Sequence, residues 1–507
     1  MRVAPITLLL LGLSICVVCV RGQQSPPPIS EYELVILNGR VMDPESGLDG
    51  IRNIGTRAGK IEVISTKNLH GRTIIDATGL VVAPGFIDLH QHGSDPDIFA
   101  ENYRAKAADG VTSAFELELG TADVDGWYAA RAGKALINYG VSVGHVPVRM
   151  KVMRDPAPSW PTGDAANKAA SDSEIRRMQE EIEHGLRQGA VAVGFTLSWT
   201  PAASPWEVLE MFRVAARSGA PCHVHIRSER EPAIGALEEV IAAAIVTKVS
   251  LHIVHLHSVG GSTTPRLLQI IAEARSRGLD VTTEDYPYTA WMGNIKGLPA
   301  TGLDEKWREE TGMDYKDILW VATGERLTAE SFARYYKQGG LIVGFHVSEE
   351  LVKATIANPL TMIASDGYLK NGQGHPRTSG SYSRVLGRYV REQKALTLMD
   401  ALRKMTYMPA QRLEQRVPAM REKGRIRVGA DADITIFDPD RVIDRATYEQ
   451  PTLHSAGIKY VIVNGNFVVM DGLLKGDIAP GLPIRASTID SSSRGESKHE
   501  RRGKGFQ

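Results

Sequence analysis

Eight short apolar runs recur along the middle of this chain, at 84–92, 111–119, 142–149, 190–197, 220–227, 250–257, 279–286 and 361–366. Most are followed by a helical or mixed segment, with amphipathic stretches such as Glu174–Gln188, Pro205–Ser218 and Thr264–Arg277 between several of them. Parallel strands cannot be joined by tight turns and need such crossovers. Eight strand–helix units in succession predict an α/β fold, a (β/α)₈ TIM-like barrel. The seventh connection is unusually long and is expected to carry an inserted subdomain over the site.

The flanks read differently. Residues 32–82 carry β-type runs punctuated by turn signals: Leu34-Val35-Ile36-Leu37, Asn38-Gly39, Asp43-Pro44, Ile61-Glu62-Val63-Ile64 and Thr73-Ile74-Ile75-Asp76. Strand chemistry returns at 424–475, where Asn464-Gly465-Asn466-Phe467-Val468-Val469-Met470-Asp471 echoes Asn38-Gly39-Arg40-Val41-Met42-Asp43. The simplest account is one small β-sandwich built from both flanks (32–82 and 421–484), with the barrel (83–420) inserted between. A chance likeness of two hairpins is the competing account.

Outside these regions the chain ends in segments with little core-forming chemistry. Residues 1–22 read as a signal peptide, with Arg2 ahead of an apolar stretch from Ile6 to Val20 and Val20-Arg21-Gly22 as a cleavage site. The expected location is therefore periplasmic or extracellular, without a stable membrane span in the mature chain. An uncleaved anchor or a lipid attached near Leu13-Ser14-Ile15-Cys16 is the alternative. Residues 23–31, with three consecutive prolines, read as a linker, and 485–507, rich in Ser, Gly and charge, as a disordered tail. Cys16 and Cys19 fall in the signal, so the mature chain keeps only Cys222 and has no internal disulfide. Lys+Arg and Asp+Glu balance at 59 each, which argues against nucleic acid and for a small-molecule partner. Oligomeric state is left open.

Chemistry collects at the ends of the predicted strands, where barrel enzymes place reactive groups. Strand 1 ends Asp88-Leu89-His90-Gln91-His92-Gly93, strand 5 Cys222-His223-Val224-His225, and strand 6 His252-Ile253-Val254-His255-Leu256-His257. These three segments hold seven of the 14 histidines, and buried histidines in a core would each need a partner. The i, i+2 spacing of His90 and His92 turns both imidazoles to one side of a strand, half of a metal site. In strand 2, turning Val111, Phe115, Leu117 and Leu119 outward would face Glu116 and Glu118 into the barrel. A buried carboxylate must be paired or bound to metal. Glu118, nearer the strand end, is the preferred ligand and could bridge two ions; Glu116 is its competitor, or a partner of a ligand histidine.

Taken together these motifs resemble the amidohydrolase superfamily, through Pro84-Gly85-Phe86-Ile87-Asp88-x-His90-x-His92, Gly429-Ala430-Asp431-Ala432-Asp433-Ile434 and Asn464-Gly465. Within it the N-acyl-D-amino-acid deacylase (D-aminoacylase) group is the nearest likeness. That likeness is carried by Gly144-His145-Val146-Pro147-Val148-Arg149, His225-Ile226-Arg227, Asp285-Tyr286-Pro287-Tyr288, Ser365-Asp366-Gly367, His375-Pro376-Arg377 and Arg384-Val385-Leu386-Gly387. The resemblance implies His90, His92, His225, His255 and Asp366 as ligands of one or two divalent ions, Zn²⁺ by expectation, and Asp366 as general base. It also implies Arg377 at a substrate carboxylate and Tyr288 or Tyr286 near the acyl pocket; His257, on the same face as His255, and Arg227 are expected as further substrate contacts. Two positions depart from the group. Its strand-2 cysteine is absent, Leu119 standing opposite it beside Glu118, and its strand-6 lysine is replaced by His257.

The implied reaction is metal-assisted hydrolysis of N-acyl amino acids, with the D series favoured. Hydrolysis of a cyclic amide or dipeptide, or deamination of a ring, is the alternative within enzymes. A metal-carrying binding protein is the alternative outside them.

Overall fold

A computed structural model describes residues 1, 31–93, 98–157 and 160–487 of the chain. The expected signal segment beyond Met1, the linker up to residue 30 and the tail from residue 488 lie outside the described residues.

The barrel strands are β1 (Phe86–Asp88), β2 (Val111–Thr121), β3 (Asn138–Gly144), β4 (Val193–Thr196), β5 (Cys222–His225), β6 (Leu251–Ile253), β7 (Val281–Asp285) and β8 (Thr361–Ile363). They form one eight-stranded sheet in chain order, and every adjacent pair is parallel. Closure between β1 and β8 falls just past the strand ends. There Asp366 N–H donates to the His90 carbonyl at 2.7 Å and His92 N–H to the Gly367 carbonyl at 2.8 Å.

Outward side chains such as Val193, Val224 and Ile253 pack with Ile182, Phe212 and Leu267 of the surrounding helices in one buried cluster. Each fully buried aliphatic side chain contributes about 1.5–3 kcal/mol. The helices begin where their caps allow. Ser171 and Glu174 form a capping box at the start of 172–187, and Ser204 caps 205–217 with Pro205 in its first turn. The third strand lies earlier than expected, because residues 145–153 turn into a helix with Pro147 in its first turn.

Both flanks join one nine-stranded sheet in which Val81–Pro84 pairs with Ile434–Phe437. Leu34, Ile36, Ile54, Ile61, Ile434 and Ile462 from its strands meet in one core, so the sheet curls over itself. The two Asn-Gly pairs play different parts. Asn464 and Gly465, at φ 49° and 80°, make the turn between Ile458–Val463 and Asn466–Met470, as a two-residue hairpin needs. Asn38-Gly39 is instead a register slip inside one long strand, Tyr32–Asp43, whose hairpin turn follows at Pro44.

Between β7 and β8 the expected insertion is a four-stranded antiparallel sheet (Ala290–Asn294, Ile318–Trp320, Glu325–Arg326, Leu341–Phe345). It has its own core around Trp320, Phe332 and Ile342. Packing continues past residue 484. Ala486 N–H bonds the Gly189 carbonyl at 3.0 Å and Arg485 pairs with Asp125 at 2.6 Å, so the composition change at 485 does not mark the end of the folded part. Among the described residues no helix is long and apolar enough to cross a membrane.

Candidate metal centre

His90 and His92 leave the end of β1, and Glu118 reaches them from β2 by a route that simple alternation does not give. Phe86 pairs with Val111 but Ile87 with Ser113, so the register slips by one residue at Thr112. Beyond the slip, Phe115 and Leu117 pack with Ile87, Leu89 and Met362, while Val111 packs with the helix-facing cluster. The apolar residues of β2 therefore do not share one face. A second irregularity, between Glu116 and Thr121, redirects the strand end and delivers Glu118 to the histidines. Gly120, at φ 64°, is required there, since a Cβ would lie 2.3 Å from Ser142 Oγ. Glu116 is buried outside the donor groups, and its charge acts on Tyr103 of the helix Phe99–Ala108.

Two groups of donors meet at Glu118. In one, Glu118 Oε2 lies 2.8 Å from His90 Nε2 and 3.3 Å from His92 Nε2, and Asp366 Oδ1 lies 3.0 Å from His92 Nε2. In the other, Glu118 Oε1 lies 2.9 Å from His225 Nδ1 and 3.8 Å from His255 Nε2. Within each group the potential ligand atoms lie within 4.8 Å of one another. Backbone strain accompanies them. His255 and Asp366 sit at φ 32° and 48°, a region that costs a non-glycine residue about 1–3 kcal/mol and persists where the surroundings over-determine it.

Electrostatics draws positive charge to this point. Burial alone would push Glu118 up, but hydrogen bonds from His225, His255, His90 and His92 hold it well below the usual carboxylate range. Burial likewise opposes protonation of His92, yet Asp366 and Glu118 raise it to about 9. His90 is raised for the same reason, by Asp366, Glu118 and Glu284 against its burial. His255 is lowered by burial and by His225, which leaves it a neutral imidazole. Without another cation, the two imidazole nitrogens that face each other at 3.2 Å across a carboxylate would have to hold their protons against mutual repulsion. The donor set fits a divalent cation.

A surrounding layer fixes these donors, and most of it was not legible in the sequence. Glu284 Oε1 accepts from His90 Nδ1 at 2.6 Å, so His90 turns Nε2 toward the centre. Its other oxygen lies 3.2 Å from His252 Nε2, which gives His252 a structural partner. Thr196 Oγ1 donates to Glu118 Oε1 at 3.3 Å, and Ser198 Oγ lies 3.2 Å from His225 Nε2. An acidic residue inside a buried strand, Glu284 in Thr282-Thr283-Glu284-Asp285, was the available signal.

The expected substrate contacts divide. Arg377 is buried beside Asp366, with Nη2 2.9 Å from Asp366 Oδ2, while its Nε and Nη1 have no hydrogen-bond partner among the described residues. Its guanidinium lies 4.4 Å from the Tyr286 ring. Tyr288 points elsewhere, its hydroxyl 3.3 Å from Asp444 Oδ2, so Tyr286 is the tyrosine beside Arg377. His257 does not face the centre. Its Nδ1 bonds Asp285 at 2.5 Å and its Nε2 the Tyr288 carbonyl at 3.2 Å, in full burial. Arg227 is also committed, its fork clasping Glu239 at 2.8 and 3.0 Å, because the helix Ala233–Thr247 presents that carboxylate beside it. His145 of the Gly-His-Val-Pro-Val-Arg motif is equally structural, buried against Glu207, which also pairs with Arg149.

Comparison with known proteins agrees with this architecture. The amidohydrolase family model matches residues 150–469. The chain is 32% identical over 473 residues to an N-acyl-D-glutamate deacylase of Alcaligenes xylosoxydans xylosoxydans, covering 86% of this chain and 93% of the relative. It is 29% identical over 474 residues to a D-aminoacylase of the same organism, covering 86% and 94%. The crystal structure of N-acyl-D-glutamate deacylase from Bordetella bronchiseptica, complexed with zinc and a phosphonate mimic of the tetrahedral intermediate, superposes with a TM-score of 0.78 at 30% identity. That match covers 90% of this chain and 100% of the other. The chain belongs to the amidohydrolase family.

Proposed function

We propose that the chain hydrolyses the amide bond of N-acyl-D-amino acids, releasing a carboxylate and a free amino acid, at a centre for one or two divalent ions, zinc first among them. The observation that carries this reading is Arg377. A buried guanidinium with one nitrogen on Asp366 and two donors still available is suited to a planar carboxylate within reach of the reacting atoms. A cyclic amide without a carboxylate, or a ring undergoing deamination, has no need of such a clamp. The names of the relatives, an N-acyl-D-glutamate deacylase and a D-aminoacylase, support the D series.

In this proposal His90, His92 and Asp366 would hold one ion and His225 and His255 another, with Glu118 within reach of both groups. A divalent ion there supplies Lewis-acid polarisation of the scissile carbonyl and eases loss of a proton from the attacking water. Asp366 accepts that proton as the C–O bond forms, then gives it to the amide nitrogen as the C–N bond breaks. Arg377 holds the α-carboxylate of the amino-acid half with a guanidinium nitrogen not committed to Asp366, and Tyr286 lies against the guanidinium face. Glu284 keeps His90 in the tautomer that presents Nε2.

The test is a panel of N-acetyl-D- and N-acetyl-L-amino acids assayed with the metal-stripped and zinc-reloaded protein. The proposal expects zinc-dependent release of D-amino acids. Turnover confined to cyclic amides, or unchanged after stripping, contradicts it. Export belongs to the same proposal on the strength of the N-terminal sequence, and the N-terminus of the protein recovered from the host's exported fraction tests it.

A further inference from the structure

Behind the centre, a lysine on the barrel wall joins the two strand ends that carry its ligands. Lys106, on the helix Phe99–Ala108, is 1% exposed, and its Nζ lies 2.6 Å from Asp88 Oδ2 and 2.6 Å from Ser365 Oγ. Ser365 Oγ in turn lies 2.6 Å from Asp88 Oδ2 and accepts from Gly367 N–H at 3.0 Å. The second oxygen of Asp88 accepts from two backbone amides, His90 N–H at 3.2 Å and Ser365 N–H at 3.1 Å. One carboxylate thus holds the β1 end and the β8 end together, and one ammonium fixes that carboxylate and the serine beside it.

We infer that Lys106 is a positioning residue for the reaction, setting the His90–Asp366 spacing through Asp88 and Ser365. Three observations favour this over an ordinary core ion pair. Every group it organises lies within two residues of His90 or Asp366. Among the described residues β1 and β8 share no ladder, and their ends meet at one isolated parallel bridge, Gln91–Gly367, whose bonds from Asp366 N–H and His92 N–H lie beside this brace. Asp366 is also held at φ 48°, a conformation that needs outside constraint. The same packing requires glycine at 367, where a Cβ would lie 3.1 Å from Lys106 Nζ and 2.8 Å from Thr378 Cα.

The inference rests on the reading of Asp366 as the base, but its test can fail separately from that reading. Backbone hydrogen exchange of the metal-free full chain reports on the brace whatever amide is cleaved. Lys106→Met removes the charge, and Ser365→Ala removes the bridging hydroxyl while leaving the Lys106–Asp88 pair. For Lys106→Met we expect kcat on the best substrate to fall about 100-fold, the cost of roughly 1 Å of misplacement, with KM within about threefold of wild type. Exchange should rise about tenfold or more in peptides covering 88–92 and 364–367, and stay unchanged in β4, β5 and the nine-stranded sheet. Ser365→Ala should show the same pattern more weakly, and it decides the matter if Lys106→Met does not fold. A folded variant with kcat within about twofold of wild type overturns the inference. So does a loss of activity in which exchange rises equally throughout the barrel.

Discussion

Glu118 Oε1 lies 2.9 Å from His225 Nδ1, while the other oxygen of the same carboxylate lies 2.8 Å from His90 Nε2. One side chain from β2 therefore spans donors from opposite sides of the barrel. If Glu118 is a ligand in both groups, as proposed, the two ion positions are interdependent. Glu118→Gln should lower bound zinc to one ion per chain or fewer, with kcat reduced at least about tenfold. Elemental analysis of the purified variant, beside the wild type, reads the first effect and steady-state kinetics the second.

Arg377 contributes charge-assisted hydrogen bonds to the proposed substrate and to Asp366. Such bonds are worth about 1.5–3 kcal/mol each, so Arg377→Ala should raise KM for N-acyl amino acids roughly 10- to 150-fold. Its effect on kcat should also be clear, because Asp366 loses the partner at 2.9 Å. An N-acyl amine lacking the carboxylate should show no KM change between the two proteins.

The two tyrosines of Asp-Tyr-Pro-Tyr should separate cleanly. Tyr286 lies against Arg377, whereas the Tyr288 hydroxyl is directed to Asp444 near Arg384. Tyr286→Phe should raise KM by about threefold to tenfold, the value of one hydrogen bond, and Tyr288→Phe should leave kinetics unchanged while lowering the melting temperature. The reverse pattern in the same assays would restore Tyr288 to the substrate.

Much of the centre was readable because its donors sit at strand ends with fixed spacing. His90 and His92 follow from i, i+2, His225 and His255 from recurrence on later strands, and Asp366 from resemblance. The curled sheet from both flanks was readable for a similar reason, since each half carries apolar alternation with no partner nearby in sequence. What could not be read depends on partners far apart along the chain. Glu284 meets His90 across 194 positions, and Ser365 meets Asp88 across 277. His257 and Arg227 looked available because nothing in the sequence shows that Asp285 and Glu239 claim them. Glu118 does lie among the histidines, but not by the alternation argued from the sequence, which the register slip at Thr112 removes, since a bulge is invisible to a period-two pattern.

His346, just past the last strand of the insertion, holds the Ser258 carbonyl at 2.8 Å through Nε2 and so ties the insertion to the short helix Leu256–Gly260 after β6. Burial, reinforced by the positive fields of His257 and Arg230, pushes its pKa down to about 4. An unfolded histidine near 6.5 binds a proton more readily than this one does. The unfolded state therefore takes up more protons between about pH 6.5 and 4, and stability falls as pH drops through that window. His346→Gln keeps a donor without titrating, so its melting temperature should fall less than that of the wild type from pH 7 to 4.5. Parallel slopes in thermal melts would remove His346 from the account.

The most direct test of the central claim is Asp366→Asn, assayed for bound zinc and for turnover of N-acetyl-D-amino acids in the same preparation. Asparagine keeps the size and one ligand oxygen but cannot take a proton from water. The account predicts a folded protein that still binds zinc, with kcat lowered by about 10²- to 10⁴-fold. A zinc-loaded Asp366→Asn protein that turns over at the wild-type rate would contradict it.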